Sequence, residues 1–482
     1  MRVAALAAVL VLPLLLTASG AGAGTKNRLD LSSPAAINAY LTSKGINPAT
    51  VTWQTGLHNY AGPSCPGIGW TCTTSTKVVQ VSAAGGQNKF DCEPEEDQSV
   101  LTDEGSNTCV IVQMGDDNKA RCKLRDTGPE ESQKCDITQT EAERNSADID
   151  MTIEQRTGPE QGADQQAFVH QEASERNQSQ VHQAVKQQTS TGDPQTQNAY
   201  QLANVTQIVD GSDNFSHIHQ TQDQDESGNA AEQNQNTEAQ PFCEDKQANQ
   251  CALVLQQDGG GDNASHLHQA IGEKQSTKAA DATQLQGDLP TGQEGAIHQE
   301  NPDGVGQNAD LANQDQRQRA SGPGGTTQAQ HTGDGKCCGP SQVGGRNNHE
   351  FIHQSSTQSA SEDSAEQDAL LIGEVHQGSD PSNACSIDQH ARINDASSHE
   401  SVSGTDAECL TLFLATTCYS GESVANCTTT QNPCDVPPFC DFSVGSTLPL
   451  LGLPTSPTFG RDIAMPDYTS EPSGYVDPGG WW

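Results

Sequence analysis

The sequence predicts a mainly β protein: a β-solenoid of short strand-turn repeats built around an Asn/Gln ladder, with small disulfide-rich N- and C-terminal modules and a flexible tail. Three observations carry this expectation. A seven-residue unit recurs through the middle of the chain, its marked residues alternate as those on one face of a strand do, and apolar content is too low for a conventional core. Only 77 of 482 residues are Leu, Ile, Val or Phe, below the roughly 20% at which highly charged chains fail to fold. Gln, by contrast, supplies about a tenth of the chain.

The unit reads Asn/Gln-x-small-x-aliphatic-x-Gln. It appears at Asn107 to Gln113, Gln133 to Gln139, Gln165 to Gln171, Asn177 to Gln183 and Gln201 to Gln207. It recurs at Asn214 to Gln220, Asn263 to Gln269, Gln293 to Gln299, Asn348 to Gln354 and Asn383 to Gln389. Requiring Asn/Gln first, Val/Ile/Leu fifth and Gln seventh gives twelve matches, Asn301 to Gln307 among them despite Pro302. Composition alone would give about one, so the repeat is real. Weaker copies keep the final Gln at Gln155, Gln235, Gln284, Gln314, Gln367 and Gln377, and successive final Gln residues lie mostly 12 to 16 apart. Longer intervals read as lost copies, and one such interruption spans Gly322 to Gly345.

Alternation places residues one, three, five and seven on the inner face. Unpartnered buried amides would cost about 1–3 kcal/mol each. In-register stacking at a rise of about 4.7 Å removes that cost, because each amide then donates to one neighbour and accepts from the other. The expected ladder and stripe residues are Asn177, Val181 and Gln183; Asn214, Ile218 and Gln220; Asn263, Leu267 and Gln269; Asn348, Ile352 and Gln354; and Asn383, Ile387 and Gln389. Asp210-Gly211 and the run Asp258-Gly259-Gly260-Gly261 supply turns between copies.

A unit with inward Asn, Ala/Ser, Ile/Val and Gln resembles the half-repeat of curlin proteins, the secreted subunits of bacterial curli fibres. The resemblance covers about Asn107 to Gln389. It implies a two-strand β-solenoid coil and an extracellular matrix or surface-adhesion role without catalysis. The cysteines and the less regular spacing depart from the family pattern.

Arg2 followed by the apolar run Val3 to Leu16 and small residues up to Ala23 reads as a signal peptide, residues 1–23. The mature chain then has no membrane-spanning segment, and its expected location is extracellular or at the cell surface. Residues 24–106 read as a small disulfide-containing cap. Within it, Ser33-Pro34 starts a helix through Ile37, Tyr40 and Leu41 that Gly45 stops, and Lys77 to Val81 forms a strand. Residues 107–400 form the repeat region, 401–442 a Cys-rich module with five cysteines, and 443–482 the Pro/Gly-rich tail. The 16 cysteines lack zinc-type C-x-x-C pairs and read as disulfides of an oxidising compartment. Cys109, Cys122 and Cys135, spaced by 13, are candidates to stack across rungs.

A formal charge of −39 excludes a nucleic-acid partner, since no cationic face survives among 63 carboxylates. The expected associations are self-assembly into fibres or attachment to a surface. No nucleophile, zinc-protease or phosphate-loop motif is present, so neither an enzyme nor a cofactor is expected. His precedes the final Gln at His170, His182, His219, His268, His298, His353 and His376, and two copies add His217 and His266. Stacked outward, His217, His219, His266 and His268 are candidate ligands for a divalent metal, the basis of an alternative metal-binding function. The oxidised protein should give a strand-type circular dichroism spectrum at neutral pH; a random-coil spectrum would contradict the stacked-strand reading.

Overall fold

A computed structural model describes Leu29 and residues 31–93 and 105–430, apart from short internal stretches of which the longest are 287–291, 333–340, 379–383, 406–410 and 419–427. The signal peptide, the 443–482 tail, most of the Cys-rich module and Asn383 lie outside the described residues.

The chain winds as a β-solenoid with two principal parallel sheets. Sheet A stacks Thr52–Gln54, Lys77–Val81, Gly105–Met114, the first halves of Glu130–Gln155 and Glu160–Thr189, then Gln195–Val209, Gln250–Asp258, Gly292–Asn301, Ser341–Gly344 and His376–Gly378. Sheet B stacks His58–Ala61, Gln87–Cys92, Asp117–Asp126, the second halves of the same two long strands, Asn214–Gly228, Asn263–Thr277, Gln307–Ser321, Asn347–Ala360 and Ala384–Ile393. Burial alternates along most of the coil strands, as in Asn214–Gly228, where 214, 216, 218, 220, 222, 224 and 226 are buried.

The amides stack as the repeat predicts. Nine glutamines of sheet A, from Gln54 through Gln80, Gln113, Gln139, Gln171, Gln207, Gln256 and Gln299 to Gln342, form one ladder with Nε2 to Oε1 distances of 2.7–3.2 Å. Nine asparagines of sheet B, from Asn59 to Asn348 through Asn177, Asn214 and Asn263, form a second at 2.8–3.1 Å. A third joins Gln183, Gln220, Gln269, Gln314, Gln354 and Gln389.

The second N–H of each amide fixes the corner. Gln171, Gln207 and Gln256 donate across the arc to the carbonyls of Gln178, Phe215 and Ala264 at the start of the facing strand. Asn145, Asn177 and Asn214 donate to the carbonyls of Glu172, Ile208 and Gln257, where the sheet A strand of the following coil ends. Gln at the strand exit and Asn at the next strand entry therefore staple the two sheets together, which is why the unit needs an amide at each end. Glutamine ladders donate toward the N-terminal coils, whereas the asparagine ladder donates toward the C-terminal ones.

Between the amides runs an apolar stripe. Ile111, Ile137, Val169, Val205, Val254 and Ile297 of sheet A meet Ile149, Val181, Ile218, Leu267, Ile352 and Ile387 of sheet B in one buried cluster. The third position is usually small because it faces that stripe: a Cβ on Gly295 would collide with Leu267. In the early coils cystines replace part of the stripe. Cys92–Cys109 and Cys122–Cys135 each bridge the two sheets, and in register Cys92 stacks on Cys122 and Cys109 on Cys135. Cys122 thus faces the Cys109/Cys135 column rather than joining it. Cys65–Cys72 closes a surface loop, and Cys251 and Cys385 are also disulfide-bonded.

The helix Pro34–Ser43 forms as its signals predict: the Ser33 hydroxyl accepts from Ala36 N, and Gly45 ends it at φ 74°. Ile37 and Leu41 cover Val79, Val110, Val112 and Met114 on the outer face of sheet A. Stacking begins at Gln54 and Asn59, N-terminal to the expected boundary at 106.

Two other expectations change. The long intervals between final glutamines hold strands instead of lost copies. A third parallel column, Glu232–Gln235, Ala282–Gln286, Gly324–Thr332 and Ala365–Glu374, continues the first residues of Gln195–Val209 and carries its own ladder through Gln197, Gln235, Gln286, Gln328 and Gln367. It also carries the coil through the interruption from Gly322 to Gly345, which contains Gly324–Thr332 and Ser341–Gly344. Secondly, the match at Asn301 to Gln307 is false, since Gln307 is exposed and Asn308 occupies the rung. At the C-terminal end the parallel order stops, as Ala396–Thr405 pairs antiparallel with Ala384–Ile393 and Thr411–Cys418 with Ala365–Glu374.

Removing one rung amide orphans its neighbours. Gln207→Ala should lower unfolding free energy in urea by about 2–4 kcal/mol, the cost of a donor and an acceptor left buried, while the outward Asp223→Ala should change it by no more than about 0.5 kcal/mol.

Candidate functional site

Register carries outward residues into columns as well as inward ones. The seven histidines that precede a final Gln fall into two columns, because the units alternate between sheets: His170, His298 and His376 belong to sheet A, and His182, His219, His268 and His353 to sheet B. On sheet B the second histidines align too, so His217 stacks on His266 and His219 on His268. The four residues singled out in the sequence therefore meet on two adjacent coils.

Their rings form a two-by-two array. His217 and His266 lie 4.7 Å apart between centroids and within 3° of parallel, His219 and His268 lie 4.7 Å apart edge to face, and His217 and His219 are separated by 6.5 Å. The preceding coil adds His182, 5.3 Å from His219, and His182 Nδ1 lies 3.3 Å from Asp150 Oδ1. The array is half-buried, bounded in register by Gln180 and Leu311 on one side and by Asn313 on the other. Burial lowers the pKa of all four, and neighbouring imidazoles push three of them further; His219 and His266 fall to about 4. At neutral pH the rings are therefore neutral, the form in which imidazole binds metals. In their present rotamers, no three His, Cys, Asp or Glu side chains converge on a metal position among the described residues.

The other histidines have carboxylate partners: His170 with Glu172 at 2.8 Å, His353 with Asp388 at 3.2 Å and His298 with Glu300 at 3.8 Å. An open cavity of about 260 Å³ at the arcs is lined by Asp116, Glu141, Glu143 and Glu172. Its deepest carboxylate, Glu172, already accepts from Leu29 N and meets His170.

A second feature escapes the repeat pattern because it substitutes for it. Carboxyl groups stand at inward positions of the coil. Glu273 occupies a rung between Gln224 and Gln318 and accepts from Gln318 at 2.8 Å and Asn236 at 2.7 Å. Glu226 accepts from Gln275 at 3.0 Å, and Asp310 accepts from Ser265 at 2.7 Å and Gln342 at 3.1 Å. Glu350 lies in register on Asp310, with neither carboxyl oxygen hydrogen-bonded. Burial pushes Glu226 up to about 9 and Glu273 and Asp310 up to about 7, and Glu350 rises well above the usual range through burial and the neighbouring Asp310. A carboxyl is planar and close to a primary amide in size, and its oxygens accept from the next amide as an amide oxygen would, which is how it fits a rung.

No family model, no curated protein and no solved structure matches this chain.

The interior carboxyls give folding a defined pH dependence. The folded chain holds their protons more tightly than the unfolded one, so their stabilisation is complete below about 4.5, the ordinary Glu value, and is lost as pH rises toward 7 to 9. Replacing Glu226, Glu273 and Glu350 by Gln and Asp310 by Asn should raise the melting temperature by several degrees at pH 8 and leave it nearly unchanged at pH 4.5. The exposed control set Glu141, Glu160, Glu175 and Glu232, each replaced by Gln, should not reproduce that difference.

Proposed function

We propose that this chain is a secreted, non-catalytic structural or surface-interaction protein of the matrix or adhesin type, acting as a discrete rod that presents the outer faces of its coils. The observation that carries the reading is the continuous amide ladder with closed ends. At the N-terminal end, the Nε2 group of Gln54 donates to the carbonyls of Tyr60 and Thr71, and the Oδ1 atom of Asn59 accepts from Gly56 N. The first rungs are satisfied within the chain and offer no amide to a further copy. The edge strands there, Thr52–Gln54 and Trp70–Thr73, are only three and four residues long, a common way to blunt an edge. At the opposite end antiparallel strands cover the last strands of sheet B and of the third column.

Secretion is supported by the signal-like N-terminus and by cystines that bridge the sheets, which require an oxidising compartment. The likeness of the unit to curlin half-repeats supports a matrix or adhesion role, while the closed ends favour single rods over open-ended fibres. A formal charge of −39 adds mutual repulsion between copies.

Negative-stain electron microscopy of the oxidised protein tests this reading. Discrete rods, with stacked coils spanning roughly 45 Å at the β rise, are expected, together with a concentration-independent monomer in sedimentation. Growing fibrils that bind thioflavin would overturn the discrete-rod reading in favour of a fibre subunit.

A further inference from the structure

We propose that His217, His219, His266 and His268 form a binding site for a divalent transition metal of the copper, nickel or zinc class. The inference goes beyond a structural rod, because nothing in a rod requires four imidazoles on adjacent rungs.

Three observations carry it. First, the donors are positioned by backbone register, since Asn214–Gly228 and Asn263–Thr277 pair in register over fifteen residues and set His217 and His219 directly against His266 and His268. Secondly, the dimensions suit one ion. Three sides of the array measure 4.7, 4.7 and 6.5 Å between ring centroids. An imidazole bound at a metal–nitrogen distance of about 2.0–2.1 Å has its ring centre about 3 Å from the ion. Neighbouring imidazoles on one ion therefore stand about 4.5–5 Å apart, close to the spacing between the rungs, and rotation about the side-chain torsions must turn their in-plane nitrogens to a common point. Thirdly, all-imidazole donors select copper, nickel and zinc over the oxygen-seeking calcium and magnesium. The array is half-buried between Gln180 and Leu311, which limits competition from water.

Gln180 stands in register with His217, so this column accepts glutamine without loss of the fold. The test titrates the oxidised full chain at neutral pH with Cu²⁺ and Zn²⁺ by calorimetry, with Ca²⁺ as comparison. Expected are saturable binding of one Cu²⁺ or Zn²⁺ at the array, no comparable Ca²⁺ binding, and a Cu²⁺ paramagnetic resonance spectrum with splitting from several imidazole nitrogens. His217→Gln, His219→Gln, His266→Gln and His268→Gln together should weaken binding at least tenfold, whereas His298→Gln with His353→Gln should not. Circular dichroism checks the fold; should the quadruple variant misfold, the one-rung pair His217→Gln and His219→Gln must still weaken binding at least tenfold. Absence of binding by the wild-type chain, or binding retained after these substitutions, would overturn the proposal.

Discussion

The structure depends on one requirement: every buried amide must find another amide directly above or below it. An isolated glutamine inside this coil would be a liability, but a column of them is self-satisfying, and that condition dictates an invariant register and vertical spacing. It dictates almost nothing about the chain between rungs. Successive sheet A glutamines are joined over 26 residues in the early coils and over 49 in the middle, yet hydrogen-bond at 2.8 Å in both places. Much of the added length in the longer coils goes into the third column, which carries a ladder of its own.

This division sorts the charges. Most carboxylates stand on outward positions or at turns, where repulsion keeps a stack-prone chain soluble. The few inside stand in for rung amides as hydrogen-bond acceptors. The cystines are a comparable substitution: at Cys92–Cys109 and Cys122–Cys135 a covalent bridge fills space that Ala and Val or Ile fill elsewhere. In each case the position is conserved by geometry while its chemistry varies.

That tolerance explains which parts of the fold were legible in sequence. Where the unit carries its full set, as at Asn177, Val181 and Gln183, alternation alone locates the strand, its face and its partners. Where a rung keeps its place with another residue, the pattern fails: Asn308 to Gln314 has Ala312 for the aliphatic, and Asn118 and Asn145 lead to Leu124 and Met151 instead of a final Gln. Gln54 and Gln80 sit in strands too short or too apolar to show alternation, so the first coils resemble a separate cap. The histidine array was half legible. Spacing gives the pairs at 217/219 and 266/268, but their meeting depends on skipping the 229–262 stretch, which only the three-dimensional register reveals. Of the interior carboxyls only Glu350 was legible, since it stands in the inward third place of the Asn348 to Gln354 unit; Glu226, Glu273 and Asp310 lie outside complete units, where sequence assigns an acid to the surface by default.

The direction of the amide ladders has an electrical consequence. Backbone carbonyls alternate along a strand, so sheets carry little net dipole. The side-chain amides do not alternate: each glutamine ladder points its N–H groups toward the N-terminal coils, and the single asparagine ladder opposes only part of that sum. With a peptide-like moment of about 3.5 D per amide, the columns add as the units of an α-helix do. The amide columns thereby add a dipole component along the coil axis, its positive end toward the coil that holds Gln54.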